Sequence, residues 1–471
     1  MAKDMSYEGL NARKTEIMQA AIGVDYNAFE LPGIGFDYER MMREAGYPME
    51  KMREIQRSHA VGDTPLIELR NLTRLARRYA PAGKGARIFL KDEACNISGS
   101  FKARRASISL YQAKEKGYKG VICATSGNYG AAVAAQAALY GLKCIVVQEC
   151  YDSRKVGQPE ILEKQRICEA FGAEVVQLTV GPELFTTTLK LLEETGYFNA
   201  SLYTPFGIAG IETLGYELVE QCRQIAGRDP DAVVCTNAGG GNITGTCRGV
   251  RKAGCGARMI GASIDLRGLH MASDHDFNRK SFTTGHTGFG MPFMTWPDRS
   301  DCPRNAARVL RHMDAFYLVK QGETFYITEA LACLEGYERG PAGNTSLTAA
   351  FSLAQQMDRD QIIVVQETEY TGAGKHPMAQ LSFARQSGID IRFGNPDGDK
   401  PGENIILPED PGQIRARPYD LDACRRSYVK NCVNNYHMTA ASEEDIQFIM
   451  DETREDRSFV TEELRKHGVA V

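Results

Sequence analysis

The chain has 471 residues, 25% of them charged and 43% hydrophobic, with a formal net charge of −4. These values describe a globular chain with room for several domains of roughly 100–200 residues each, and they give no electrostatic basis for binding nucleic acid or an anionic membrane. The 13 cysteines are scattered, odd in number and without C-x-x-C spacing, which argues against a disulfide framework or a zinc site and predicts a reducing, cytoplasmic setting.

The first residues, MAKDMSYEGLNARK, are polar and lack the apolar core of a signal peptide. No apolar run reaches the ~18 residues of a membrane span. Residues 1–60 carry helical patterns in ARKTEIMQAAIG and DYERMMREAG and are expected to form an extension packed on the body or on a partner. From GDTPLIEL onward the pattern changes. Short apolar runs (ARIFLKDE, GVICAT, CIVVQEC, AEVVQLT, AVVCTN, MIGASI and QIIVVQET) alternate with helical segments such as YGAAVAAQAALYG and ELFTTTLKLLEETG. Such alternation predicts βαβ units and parallel sheets. Several runs are apolar throughout, as strands buried on both faces are. From about residue 396, NPDGDKPGENIILPEDPGQ is rich in turn residues. The last part, SEEDIQFIMDETREDRSFVTEELRKHG, reads as a charged helical tail with Ser442 as its N-cap.

Four stretches carry polar chemistry. Ser98-Gly99-Ser100-Phe101-Lys102 sets a lysine behind a flexible turn and in front of a helix. ATSGNYGAAVA, residues 124–134, is a strand, a polar glycine turn and a helix start, the arrangement whose free N–H groups attract anions. TNAGGGNITGT, residues 236–246, follows a strand directly. Three successive glycines can fold into a backbone nest for phosphate. The spacing fits neither a dinucleotide fingerprint nor a P-loop. IIVVQETEYTG, residues 362–372, is a strand running into Glu367 and Thr368. Taken singly, each stretch is an ordinary turn.

In this order the four stretches resemble the β-family of pyridoxal-phosphate enzymes, fold type II, which includes cysteine synthase, threonine synthase and the serine/threonine dehydratases. The resemblance implies that Lys102 forms the Schiff base with the cofactor. It implies that Asn128 contacts the cofactor's 3′-hydroxyl, that Gly239, Gly240, Gly241, Asn242 and Thr244 hold its phosphate, and that Thr368 faces its pyridine nitrogen. Glu367 is the alternative partner for that nitrogen, and Phe101 or Tyr129 would wall the ring. Thr125, Ser126 and Gly127 match the family's substrate-carboxylate turn. Ile97 and Ala103 stand where the family often has proline and aspartate; neither change touches the covalent chemistry. The implied fold is α/β, with two domains of parallel-rich sheets and the cofactor in the cleft between them. The large domain is expected at 61–100 and 209–395 and the small one at 101–208, with extensions at 1–60 and 396–471.

Longer runs narrow the resemblance. GKGARIFLKDEACNISGSFKARRA, QECYDSRKVGQPE, YFNASLYTPFGIAG, KSFTTGHTGFGMPF, ERGPAGNTSLTAAFSLAQ and QETEYTGAGKHP are similar to the β-subunit family of 2-amino-4-oxopentanoate thiolases. This implies coenzyme A as co-substrate, acetyl-CoA and alanine (the D isomer) as products, a small α subunit as partner, and a place in ornithine degradation. An amino-acid dehydratase or β-replacement synthase on the same fold is the alternative. In SFTTGHTGFGMPFMTWPDR, His286 is a possible base for the thiol and Trp296 a possible wall of its entrance; His376 has a similar standing. Arg104 and Arg105 read as solvated helix arginines, with a carboxylate or phosphate partner as the lesser reading. No metal site is expected.

Overall fold

The computed structural model describes residues 3–125, 127–151, 155–157, 159–179, 181, 183–266, 282–283, 294–299, 302–370 and 377–471. Its strands are β1 (Leu66–Glu68), β2 (Arg87–Asp92), β3 (Gly120–Thr125), β4 (Lys143–Tyr151), β5 (Glu174–Thr179), β6 (Phe198–Asn199) and β7 (Ala232–Thr236). They continue with β8 (Arg258–Ile264), β9 (Ala315–Val319), β10 (Ile362–Glu367), β11 (Asp390–Gly394), β12 (Asn404–Pro408) and β13 (Arg417–Pro418). All seven apolar runs singled out above are strands.

Two sheets organise the molecule. The larger has the order β1-β2-β10-β7-β8-β9-β13. Its inner pairs are parallel, and the two edge strands run antiparallel to their neighbours. The smaller, β5-β4-β3-β6, is parallel throughout. Every residue of β7 and of β10 is buried, which explains their unbroken apolar sequence: helices cover both faces. The edge strand β5 alternates instead and is partly exposed.

The N-terminal helices Lys14–Ile22, Tyr38–Ala45 and Met49–Arg57 contribute Met18, Tyr38, Met41 and Ile55 to a core that also holds Val146, Val233 and Tyr428. The extension is therefore built into the body. The tail is two helices, Glu443–Thr453 and Arg457–Lys466, because Arg454 adopts the left-handed conformation (φ +57°) and ends the first of them. Ser442 is its N-cap, and Asp445 completes the capping box. The turn-rich region after 396 is woven into the fold: β12 pairs with β11, and β13 forms one edge of the large sheet.

Asp445 ties the two ends of the chain together. One carboxylate oxygen accepts the Ile34 N–H at 2.8 Å, the other the Ser442 N–H at 2.9 Å. Asp445→Ala removes both and is expected to lower stability by ~1–2 kcal/mol in denaturant titration, with the circular dichroism of the folded state unchanged. All 13 cysteines are free thiols. Among the described residues no helix is long and apolar enough to cross a membrane.

Candidate active site

A cavity opens at the carboxyl ends of β3, β7 and β10, the location at which open α/β sheets bind ligands. Its wall includes Phe101, Lys102, Thr125, Gly127, Asn128, Tyr129, Gly239, Gly240, Gly241, Asn242 and Thr368. Four segments far apart in sequence thus meet around one space.

Lys102 owes its place to the turn before it. Ser98 (φ +65°) and Gly99 (φ +70°) both take left-handed backbone, and the chain then starts the helix Lys102–Glu115. For Ser98 that conformation is a strained one. The turn is held from the side by the end of β10: the Phe101 N–H donates to the Thr368 carbonyl at 3.0 Å, and the Tyr370 N–H donates to the Gly99 carbonyl at 2.8 Å. Lys102 and Thr368 are therefore fixed relative to each other through backbone. The Lys102 ammonium lies 5.6 Å from the centre of the Phe101 ring.

The arginines correct the expectation of solvated side chains. Both are buried, because the helix Lys102–Glu115 packs between the helices Asn128–Tyr140 and Pro205–Ala226 and has no solvent face in its first turn. Arg104 binds Glu93 (2.7 and 2.8 Å) and Glu217 (3.1 Å to each oxygen). Lys91 pairs with the same Glu217. Burial alone would raise Glu217, yet Arg104 and Lys91 hold it down at about 2. This cluster anchors the helix that carries Lys102. Arg105 turns the other way and lines the cavity.

The second segment is the turn after β3. The Thr125 hydroxyl accepts the Gly127 N–H at 3.1 Å, and the helix Asn128–Tyr140 follows. Asn128 is buried, and its side-chain oxygen has no partner. The Tyr129 hydroxyl donates to the Ala200 carbonyl at 2.7 Å, which fixes its ring as a wall. Ser126, His286 and His376 lie outside the described residues.

The triglycine loop follows β7. Gly240 has φ +82° and caps the helix Gly241–Lys252. A Cβ at Gly239 would overlap the Tyr203 hydroxyl, and one at Gly240 would overlap Val309. Only backbone fits there, and the loop leads into the start of a helix, whose first N–H groups have no intrahelical partner and whose dipole is positive at that end. Thr244 does not reach the cavity wall. It lies one turn into the helix, where its hydroxyl donates to the Gly240 carbonyl at 2.9 Å and braces the loop. The Asn242 amide donates to the Thr236 carbonyl at 3.2 Å, leaving its oxygen buried and unpartnered.

Thr368 lines the cavity, and Glu367 does not. The Glu367 carboxyl is buried against Gly343 on the far side of the strand end. Burial, then Asp92 and Glu369, push it well above the ordinary carboxylate range. Trp296 is also away from the cavity: it packs against Tyr428 and Tyr436 of the C-terminal helices, at 6.2 and 5.7 Å between ring centres. Among the described residues no group of three or more acidic, histidine or cysteine side chains is placed to hold a metal.

The sequence reading missed Thr236, Tyr203, Phe185, Arg299, Glu149 and Glu369, all at the cavity wall. Thr236 was within reach of it, as the last residue of a strand that feeds the glycine loop. The others reach the cavity only through tertiary packing.

The cavity fits pyridoxal phosphate: a lysine at one side, a glycine cradle closed to side chains at another, and an unpartnered buried amide oxygen between them. The model of the pyridoxal-phosphate dependent enzyme family matches residues 57–369. The chain belongs to the pyridoxal-phosphate dependent enzymes. Two curated relatives match it over nearly its whole length. The 2-amino-4-ketopentanoate thiolase beta subunit of Acetoanaerobium sticklandii is 66% identical, with 99% of each chain covered. A protein of the same name from an unknown prokaryotic organism is 61% identical, with all of each chain covered. Among solved structures, a threonine deaminase from T.th. is 25% identical with a TM-score of 0.52, covering 69% of this chain and 98% of that one. The fold is the type II fold of the pyridoxal-phosphate enzymes.

For a pyridoxal-phosphate enzyme of this geometry, Gly240→Ala has a definite outcome. The left-handed backbone costs an alanine ~1–2 kcal/mol, and its methyl would displace the cradle. Equilibrium dialysis should show pyridoxal phosphate bound at least about tenfold more weakly, with the circular dichroism of the fold retained.

Proposed function

We propose that this chain is the pyridoxal-phosphate subunit of a two-subunit thiolase that cleaves 2-amino-4-oxopentanoate with coenzyme A, giving acetyl-CoA and alanine. The single observation that carries the reading is the 66% identity over 99% of both chains to a 2-amino-4-ketopentanoate thiolase beta subunit, on a chain whose lysine, asparagine and triglycine cradle meet in one cavity. The name of that relative supports a small α subunit as partner. The D configuration of alanine, a cytoplasmic location and a role in ornithine degradation belong to the same proposal. The two sheets support a large domain of 61–100 and 209–395 and a small domain of 101–208, with one edge strand lent by the extension 396–471.

When bound, pyridoxal phosphate supplies an electron sink for the bonds around the carbon bearing the amino group. Lys102 is its covalent anchor. The Lys102 amine is also the base that takes the substrate's Cα proton and the acid that returns it to Cα as alanine forms, and the one further proton, needed at C3, equals the proton that the coenzyme A thiol gives up. An amine that serves as both acid and base must be partly desolvated, and the half-buried position of Lys102 at the cavity wall supports that role. The Asn128 amide and the Thr368 hydroxyl would hold the cofactor's ring, Thr368 as a neutral partner of its nitrogen. Thr125 and Gly127, just before the helix Asn128–Tyr140, and with them Ser126 by its place in the turn's sequence, receive the substrate carboxylate. Tyr129 and Phe101, both at the cavity wall, would exclude water from the bound cofactor. His286 is the proposed base for the thiol of coenzyme A, whose sulfur attacks C4 as the C3–C4 bond breaks.

The test is the purified chain, reconstituted with pyridoxal phosphate and the α subunit, supplied with 2-amino-4-oxopentanoate and coenzyme A. The expected result is acetyl-CoA and alanine in equal amounts, with the alanine entirely D on chiral chromatography. Ammonia and a keto acid formed without coenzyme A would refute the thiolase reading in favour of a dehydratase.

A further inference from the structure

Arg105 is 4% exposed, yet no carboxylate pairs with it among the described residues. Its neighbour Arg104 shows the contrast, with two carboxylates around one guanidinium. One Arg105 Nη donates to the Leu202 carbonyl at 3.1 Å, and its Nε is buried with no partner. A buried cation without a counter-charge is among the costlier arrangements a fold can hold. Burial pulls Arg105 down to about 10, against smaller opposing effects of Tyr203 and Tyr129.

The guanidinium stands at the cavity wall, 5.4 Å from the centre of the Phe101 ring. It lines the cavity and lies flat against Gly241: a Cβ on that glycine would stand 2.5 Å from Nη2 and 3.0 Å from Cζ. Gly241 is the first residue of a helix of 12 residues whose free N–H groups open onto the same space. Helix start and guanidinium therefore converge on one point from two elements. A planar fork of N–H donors suits a phosphate better than it suits any other group of the cofactor.

We infer that Arg105 is a binding residue for the 5′-phosphate of pyridoxal phosphate, neutralising the phosphate that the triglycine cradle holds through backbone alone. The inference rests on the cavity being the pyridoxal-phosphate site. It gives the cradle a formal positive charge, so the phosphate is bound as a dianion, and it assigns Gly241 a second role, as the gap through which the guanidinium reaches the cradle. A substrate carboxylate is the other anionic ligand group the guanidinium could take in this cavity, whose own acidic wall residues are Glu149 and Glu369, and the experiment separates the two.

Dissociation constants of the apo full-length chain are measured for pyridoxal phosphate and for pyridoxal, which lacks the phosphate, in the wild type, Arg105→Lys and Arg105→Gln. Arg105→Gln should weaken pyridoxal phosphate about 30-fold or more, the worth of a charged hydrogen-bonded contact, and leave pyridoxal unchanged. Arg105→Lys, which keeps the charge and the fold but loses the fork, should fall between. Inorganic phosphate should protect wild-type apoprotein from thermal unfolding and fail to protect Arg105→Gln. Equal weakening of both ligands, or of neither, would overturn the assignment, the latter leaving Arg105 to the substrate. If Arg105→Gln does not fold, an unchanged pyridoxal phosphate affinity in Arg105→Lys overturns it. A wild type that binds pyridoxal phosphate no better than pyridoxal would overturn the phosphate role of the cradle as well. A wild type that binds neither would remove the cofactor reading itself.

Discussion

Lys102→Ala is expected to lower turnover of the reconstituted two-subunit enzyme by about a thousandfold or more, the scale of a lost acid–base group. Borohydride reduction of the wild type should fix the cofactor to the peptide carrying Lys102, as mass spectrometry reads it, and should fix none to the variant. Pyridoxal phosphate should still enter the variant, because the cradle at Gly239, Gly240 and Gly241 is built from other segments. The variant should also fold. The fixed geometry of the loop comes from the Phe101 and Tyr370 backbone bonds and from Arg104, none of which uses the Lys102 side chain. Turnover retained within about tenfold of wild type would show that another group moves the Cα proton.

Arg104→Met should cost ~3–5 kcal/mol of stability, since it leaves the buried carboxylates of Glu93 and Glu217 without their main counter-charge. Lys91 remains for Glu217 alone. The loss should appear as a shift of the urea midpoint at unchanged slope. The double variant with Glu93→Gln should recover part of it, because one orphaned charge is removed. The pH dependence has a definite sign. Glu217 is held at about 2 in the folded wild type, below its ordinary 4.5. Its contribution is thus complete above the ordinary carboxylate value and disappears as pH falls toward about 2. Without Arg104 burial dominates, Glu217 rises, and acid unfolding moves to higher pH. A variant that unfolds at the same pH as wild type would show that the cluster does not govern acid stability.

The large effects come from residues that were unequally legible in the sequence. Lys102, Asn128 and the glycine loop were visible because each sits in a local signal: a turn before a helix, a helix start, three small residues after a strand. The strands β2, β3, β4, β5, β7, β8 and β10 were visible for a similar reason, since burial on both faces leaves runs such as IIVV that no surface element carries. β9, AFYLV, was missed, with only Phe316 and Val319 of its five residues buried. Arg104 and Arg105 were misread, because a charged pair on a helix is ordinarily solvated and nothing local says that two other helices cover it. The partners of Arg104, Glu93 and Glu217, lie 11 and 113 residues away. Thr244 was assigned by its place in a motif, whereas helix geometry turns its hydroxyl back onto the loop. The end of β10 offered both Glu367 and Thr368, and only alternation along the strand in three dimensions tells them apart.

The order of strands in the large sheet sets a timetable for biosynthesis. β3, β4, β5 and β6 come from one unbroken stretch, so the small sheet has all its strands once residue 199 leaves the ribosome. The large sheet cannot close then, because β10 lies between β2 and β7, and Arg87 must wait for Ile362 to find its neighbour. Until three-quarters of the chain has been made, β2 and β7 present open edges in the nascent protein, the kind of surface that chaperones cover. The lysine loop is latched by the residues that follow β10, Thr368 and Tyr370, so the cofactor's seat takes shape only late in synthesis.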